Sequence, residues 1–219
     1  TVSILSRPRC LAILTDSRDI TLEAVSSVGK IAAEEWDACA HSGDSYNPFV
    51  THAFFAALEN SGSAVPRTGW ASRHLIARMA DKVVGIVPCY LKNHSQGEYV
   101  FDHGWADAYA RAGGSYYPKL QASVPFTPAT GPRLLVRAGD DAARVREALA
   151  GGLIALCGIT HASSVHVTFA QEDEWAFLAS QGFLQRTDQQ FHWHNEGYGT
   201  FEDFLATLAS RHRKAIRRE

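Results

Sequence analysis

Cysteine, methionine and net charge are all scarce in this chain, and each scarcity removes a class of answer. Among 219 residues there are four cysteines and one methionine. Cys10, Cys39, Cys89 and Cys157 stand far apart with no CxxC spacing. That pattern argues against a disulfide-stapled scaffold and reads as buried thiols in a reducing compartment. The formal net charge is −2, so no bulk electrostatic drive leads toward nucleic acid or an acidic membrane. No apolar run approaches the roughly 20 residues that a membrane helix needs. The opening TVSILSRPRCLAILTDSRD lacks the apolar stretch and small-residue cleavage site of a secretory signal, so the expectation is a cytoplasmic protein. Neither a P-loop nor a GxGxxG is present. His192 and His194 share a strand face but lack a third ligand, so no metal is expected. Ser95 has no elbow motif and no acid arranged with His94 as a triad requires.

What is present is ample core material. Hydrophobic residues make up 46% and charged residues 20% of the chain, the balance of a soluble globular domain. Periodicity and turn signals predict an α/β alternation. Strands are expected at 20–26, 98–102, 119–124, 165–169 and 183–194, with a hairpin formed by 74–79 and 83–91 around Ala80-Asp81-Lys82. Helices are expected at 30–40, after Thr51 to Gly62, around Trp105 to Arg111, and from Thr200 onward. A long helix opens at Asp140 and Asp141, carries Val145, Leu149, Leu153 and Leu156 at helical spacing, and closes at Gly158. Another spans 171–181, with Glu172, Asp173 and Glu174 favoured in its first turn by the helix dipole and Gly182 as its cap.

Chemistry concentrates between Tyr90 and Leu135. Seven aromatics fall between Glu98 and Phe126, and half of the eight prolines (Pro118, Pro125, Pro128, Pro132) crowd the end of the segment. Rings beside convergent polar groups on a proline-stiffened backbone suit a ligand pocket; an aromatic core with solvated charges is the plainer alternative. On a strand through Glu98, the side chains of Glu98 and Asp102 share a face with Val100 between them. Such a carboxylate pair can orient an acceptor amine and take its proton. Lys119 beside Tyr117 could neutralise an oxyanion. Local roles stay open for each: Glu98 paired with Lys92, Asp102 capping the next helix, Lys119 at the surface. The expected pocket groups are Trp105, Tyr109, Tyr116, Tyr117 and Phe126, with His94 and Arg133.

The words HSQGEYVFDHGWADAY, YYPKLQ and PFTPATGPRLL resemble the signature of a bacterial family described as FemAB-like, peptidoglycan biosynthesis or recognition proteins. The resemblance runs from about Trp36 to the C-terminus. It implies a GNAT-like acyltransferase fold, a mixed central sheet flanked by helices, and Glu98, Asp102 and Lys119 as catalytic residues. It implies transfer of an activated acyl or aminoacyl group to a small-molecule amine acceptor. The alternative is a non-catalytic GNAT-like module that binds a peptidoglycan fragment or other small ligand. Fem-type proteins resemble two such domains in tandem. The division expected is therefore an extension over 1–19, a GNAT-like domain over 20–199, and a helix over 200–219 leading into a second domain. A chain that opens without Met and ends inside RHRKAIRRE reads as a fragment.

Within this stretch the donor site looks degenerate. A GNAT enzyme cradles pyrophosphate at the N-terminus of its crossover helix. Here ATGPRLLVRAGDDAARV lacks the usual Gly-rich turn, and Asp140 and Asp141 occupy the place of the phosphate. No cofactor is expected in this stretch; acyl-CoA or aminoacyl-tRNA would be the donor of the full-length protein. From Phe201 on, five basic residues (Arg211, Arg213, Lys214, Arg217, Arg218) oppose three acidic ones, +2 against −4 for the rest. The face is either solvated or a contact for RNA or a phosphate-bearing donor.

Overall fold

A computed structural model describes residues 2–5, 19–42, 46–100 and 102–218, with backbone alone for 2–5. The chain divides into two compact units, Thr1–Thr187 and Asp188–Glu219. In the first unit the order is β1 (Val2–Leu5), β2 (Ile20–Val25), α1 (Ala33–Ala40), α2 (His52–Asn60), β3 (Ala71–Ser72), β4 (His74–Met79), β5 (Lys82–Val87) and β6 (Cys89–Lys92). There follow α3 (His103–Arg111), β7 (Lys119–Ala122), β8 (Leu135–Val136), α4 (Ala142–Ile159), β9 (Ser164–Val167), α5 (Glu172–Ser180) and β10 (Leu184–Gln185).

The strands form two sheets where the sequence predicts one mixed central sheet. One has the order β10-β1-β9-β7-β6-β3 and the other β2-β4-β5-β8. The expected hairpin is the reason. It runs from Ala71 to Lys92 and changes sheet midway, at Arg73 and Pro88. Pro88 has no N–H to continue the ladder. The Arg73 N–H reaches the Cys89 carbonyl at 2.8 Å across the break. Among the described strands the one parallel pair is β7 with β9, joined through α4. Val2–Leu5, part of what the sequence sets apart as an extension, lies between β9 and β10 in the first sheet. None of the described residues of the strand expected over 98–102 is in a strand: Glu98 lies in a bend and Tyr99 has φ 54°. Phe101 lies outside the described residues, as do Cys10 and most of the extension.

The core forms on both sides of the four-stranded sheet. Val145, Leu149, Leu153 and Leu156 of α4 pack with Leu75, Ala77, Val87, Leu120, Ala122, Val165 and Val167. Burying such side chains contributes roughly 1.5–3 kcal/mol apiece. On the other side, Trp36, Val50, Phe55, Ile76, Val83 and Ile86 make a second cluster beneath α1 and α2. A Cβ on Gly85 would come within 2.5 Å of Val145 Cγ1 and 2.9 Å of Leu149 Cδ1, so glycine lets α4 seat this closely. Thr51 caps α2, its Oγ1 accepting from the Phe54 N–H at 3.2 Å. Glu59, at the other end of α2, accepts from Ser27 Oγ, Ser72 Oγ and the Val28 N–H. Since the Cys89 N–H donates to His74 Nδ1, the His74 proton sits on Nε2 and points at Glu59, 3.3 Å away.

In the second unit the single helix expected from Thr200 is two, α6 (Phe201–Thr207) and α7 (Ser210–Ile216). Leu208 (ψ 150°) and Ala209 (ψ 145°) are extended and separate them. Arg213 Nη2 donates to the Leu208 carbonyl freed by that break, at 3.1 Å. The strand expected over 183–194 is confined to Leu184–Gln185. Among the described residues no helix is long and apolar enough to cross a membrane.

Candidate active site on the polar face of the six-stranded sheet

The six-stranded sheet has two unlike faces. Strand alternation sends Cys89 of β6, Leu120 and Ala122 of β7, and Val165 and Val167 of β9 into the core with α4. The same alternation puts Tyr90 and Lys92, Lys119 and Gln121, Ser164 and His166 on the opposite face. Of these, Tyr90, Lys92, Lys119, Gln121 and Ser164 are all buried. A buried polar face costs free energy unless its groups find partners. The segment from Asn93 to Asp102, which leads into α3, supplies most of them.

Lys119 is the centre. Its ammonium donates to Ser95 Oγ at 2.8 Å, to Glu98 Oε2 at 2.7 Å and to Asp102 Oδ2, which uses all three of its protons. Tyr116 OH also donates to Asp102 Oδ2, at 2.8 Å, and lies 3.4 Å from His166 Nε2. Ser95 Oγ shares a 2.7 Å hydrogen bond with Tyr117 OH, and His166 Nε2 one of 2.8 Å with Ser164 Oγ. Lys92, paired directly opposite Lys119, donates to the Gln96 carbonyl at 3.1 Å. It sits 3.4 Å over the Trp70 ring and 4.0 Å from Glu98 Oε1.

The environment drives the two carboxyls apart. Burial pushes Glu98 up, more than the Lys119 and Lys92 charges pull it down. Burial also acts on Asp102, but the hydrogen bonds from Lys119 and Tyr116 win and its carboxyl is held below the usual range. Lys92 is brought down to about 8 by burial and by the Lys119 charge, against the pull of Glu98. His166 falls to about 3, through burial and Lys119, and is neutral. Glu98 Oε1, Asp102 Oδ1, Tyr90 OH and Gln121 Oε1 are buried with no hydrogen-bond partner among the described residues. A buried polar row left partly unpaired is a feature of sites that bind something.

A family model described as FemAB-like, peptidoglycan biosynthesis/recognition, matches residues 27–219. The chain belongs to the FemAB-like family. No curated protein and no solved structure matches it. The description of the FemAB-like family ties the chain to peptidoglycan, and the matched span takes in every residue of the cluster.

The pocket expected of this FemAB-like chain is only partly assembled. Glu98, Asp102 and Lys119 meet although no strand carries the acids, because the bend at Glu98 and the start of α3 deliver them separately. Asp102 precedes α3 without a side-chain cap bond. Tyr109, Tyr116 and Tyr117 form one ring cluster, with centroids 5.7 and 5.1 Å apart, beside Lys119. Phe126 belongs elsewhere: it packs on Trp70 at 5.5 Å and is 41% exposed. Trp105, 51% exposed on α3, faces solvent. His94 and Phe126, with Ser63, Arg67, Thr68 and Gln96, line a separate cavity of about 580 Å³.

Arg133 does not join the cluster. Its guanidinium, fully buried, donates to the carbonyls of Thr168, Gly131, Pro132 and Ala129 at 2.7–3.1 Å. Glu174 accepts from the Arg133 and Leu134 N–H groups at 2.7–3.1 Å. The residue expected to bind substrate therefore braces the Pro-rich loop. The expectation named Lys92 only as a local partner of Glu98, which it is at 4.0 Å, and missed Ser95, Trp70, Tyr90, Gln121 and His166 as members of the cluster. One signal was readable: Tyr90 and Lys92 alternate with apolar residues in a strand.

Proposed function

We propose that this chain is an N-acyl- or aminoacyltransferase-type protein of GNAT-like fold acting on an amine acceptor related to peptidoglycan. The observation that carries the proposal is the split carboxyl pair around Lys119. Two acids whose environments push their protonation apart suit a general acid and base. Burial raises the proton affinity of Glu98, so once ionised it is the stronger base of the two and would take the proton of the attacking amine. Asp102, held ionised, would fix Lys119 and Tyr116. The amine nitrogen then bonds to the acyl carbon, and the donor's thiol or hydroxyl leaves with the proton. The parallel pair β7 and β9 with crossover helix α4 supports the GNAT-like reading. The cavity lined by His94, Gln96 and Phe126 lies next to the bend that carries Glu98, and is where the acceptor would dock.

A specific observation favours the second reading, a non-catalytic binding module. Asp141 precedes α4 and pairs with Arg144 at 2.8 Å, so a carboxylate stands where a donor's phosphate would sit. The test is transfer from acyl-CoA and from aminoacyl-tRNA to muropeptide amines, followed by mass spectrometry. Transfer that falls at least a hundredfold in Glu98→Gln supports the enzyme. Muropeptide binding without transfer from either donor replaces it with the binding module.

A further inference from the structure

A second cavity, of about 400 Å³, lies between the end of α1, the Asn47-Pro48-Phe49 turn, the Pro-rich loop at Ala129–Pro132 and Gln171. That is within the usual range of small-ligand sites, about 300–1,000 Å³. Among the described residues, the fifteen that line it carry no formal charge, in a chain where one residue in five does. An ionic ligand would lose its hydration there with no counter-charge in return. The ligand that fits is neutral.

The polar groups of the lining narrow the choice. Asn47 Oδ1 accepts from the Phe49 N–H at 3.0 Å, which fixes the side-chain amide and leaves Nδ2 as the outward donor. Asn47 Nδ2 has no hydrogen-bond partner among the described residues. A Cβ on Gly131 would meet it at 2.5 Å, so Asn47 lies against the loop at a place only glycine allows. The loop cannot retreat, because Arg133 grips its Ala129, Gly131 and Pro132 carbonyls. Across the cavity Gln171 precedes α5 without capping it, and presents a second primary amide. Leu134, Leu135 and Val136 supply an apolar floor, while Phe49 and Tyr46, the latter 72% exposed, stand at the entrance.

We propose that this cavity is a binding site for an N-acetylated amino sugar, a choice of sugar that rests on the peptidoglycan reading above. Amide donors suit an acetamido carbonyl and ring hydroxyls, the apolar floor suits the acetyl methyl, and an aromatic entrance suits the C–H face of a pyranose. The described lining offers no counter-charge to the free amino sugar, whose ammonium would be desolvated unpaired.

The test is saturation-transfer NMR and calorimetric titration of the chain with N-acetylglucosamine, glucosamine and glucose. The expected result is binding of the first, with the other two at least tenfold weaker. Asn47→Asp keeps the acceptor that caps the Phe49 N–H and replaces the Nδ2 donor by an anionic oxygen that cannot donate to the acetamido carbonyl. It should bind N-acetylglucosamine at least tenfold more weakly with an unchanged melting temperature. Gly131→Ala, which displaces Nδ2, should also weaken N-acetylglucosamine binding at least tenfold. Absence of a signal with N-acetylglucosamine, equal binding of the three sugars, or wild-type binding by Asn47→Asp would overturn the site. Sugar binding depends on Asn47 and transfer on Glu98. Loss of one with the other intact therefore tells which proposal has failed.

Discussion

Lys92 and Lys119 stand directly opposite each other on neighbouring strands, both sealed from water. Like charges in that position repel. They persist because Glu98 and Asp102 descend on them from the 93–102 segment, making two cations and two carboxyls in one buried group. Removing one member strands the others. Lys119→Met should lower stability to urea unfolding by about 3–5 kcal/mol, the usual cost of breaking a buried ion pair from one side. Asp102→Asn should cost more than Glu98→Gln, because Asp102 is held ionised while burial already favours the neutral form of Glu98. A reversed order would mean that the charges are assigned to the wrong carboxyls.

The same group sets an acid limb. His166 in the folded chain has its pKa lowered to about 3 from an ordinary 6.5. A depressed value means that its stabilising contribution is complete above 6.5 and is lost as pH falls toward 3. His74, lowered by burial, acts in the same direction over the same descent. Asp102, also lowered, joins below the ordinary carboxyl range. Glu98 is raised and has the opposite sign: its contribution is present at low pH and lost as pH rises through its folded value. Stability should therefore decline from pH 6.5 downward, each proton adding a slope of up to about 1.4 kcal/mol per pH unit. His166→Gln should make that decline shallower by one proton's worth. Urea midpoints at half-unit pH steps read it, and an unchanged slope would show that His166 titrates normally.

Arg133 should prove a matter of stability. Four carbonyls share its guanidinium, and Glu174, raised by burial, depends on neighbouring N–H groups and on the Arg133 charge. Arg133→Met should cost at least about 3 kcal/mol by orphaning buried acceptors. Arg133→Lys should recover little, since an ammonium has three protons and no planar fork. Thermal melts of the two variants measure this. A lysine variant as stable as wild type would return Arg133 to the surface role that a substrate ligand needs.

The sequence reading succeeds where one element decides the outcome. Val145, Leu149, Leu153 and Leu156 announce α4 by their spacing alone, and the hairpin is legible from its alternating pattern and its turn. Long-range events were out of reach. Pro88 marks a local break in the ladder, but nothing local says that the chain changes sheet there, so one sheet was expected and two exist. The shared strand face expected of Glu98 and Asp102 does not form; the family resemblance, which also grouped them, needed no strand. The structure brings them together through a bend and a helix start that both point at Lys119. Arg133 misled because a charged residue in a glycine- and proline-rich loop looks like a ligand whether it faces a cavity or its own backbone. That difference depends on where Thr168 lies, 35 residues away.

The second unit offers a test of the helix break. α6 has seven residues, too few to persist on propensity alone. What holds its start is a reciprocal cap: Thr200 Oγ1 accepts from the Asp203 N–H at 3.2 Å, and Asp203 Oδ2 accepts from the Thr200 N–H at 2.8 Å. Thr200→Ala removes the first of these and should cost about 1 kcal/mol. At about 1.4 kcal/mol per tenfold, amides of Phe204 to Thr207 should then exchange roughly fivefold faster. α7 should not follow, because Leu208 and Ala209 interrupt the hydrogen-bond ladder between the two helices. Hydrogen exchange of the whole chain with and without the substitution decides it. If the amides from Arg213 to Ile216 accelerate in step with those of α6, the two are one cooperative helix and the break at Leu208 is no boundary.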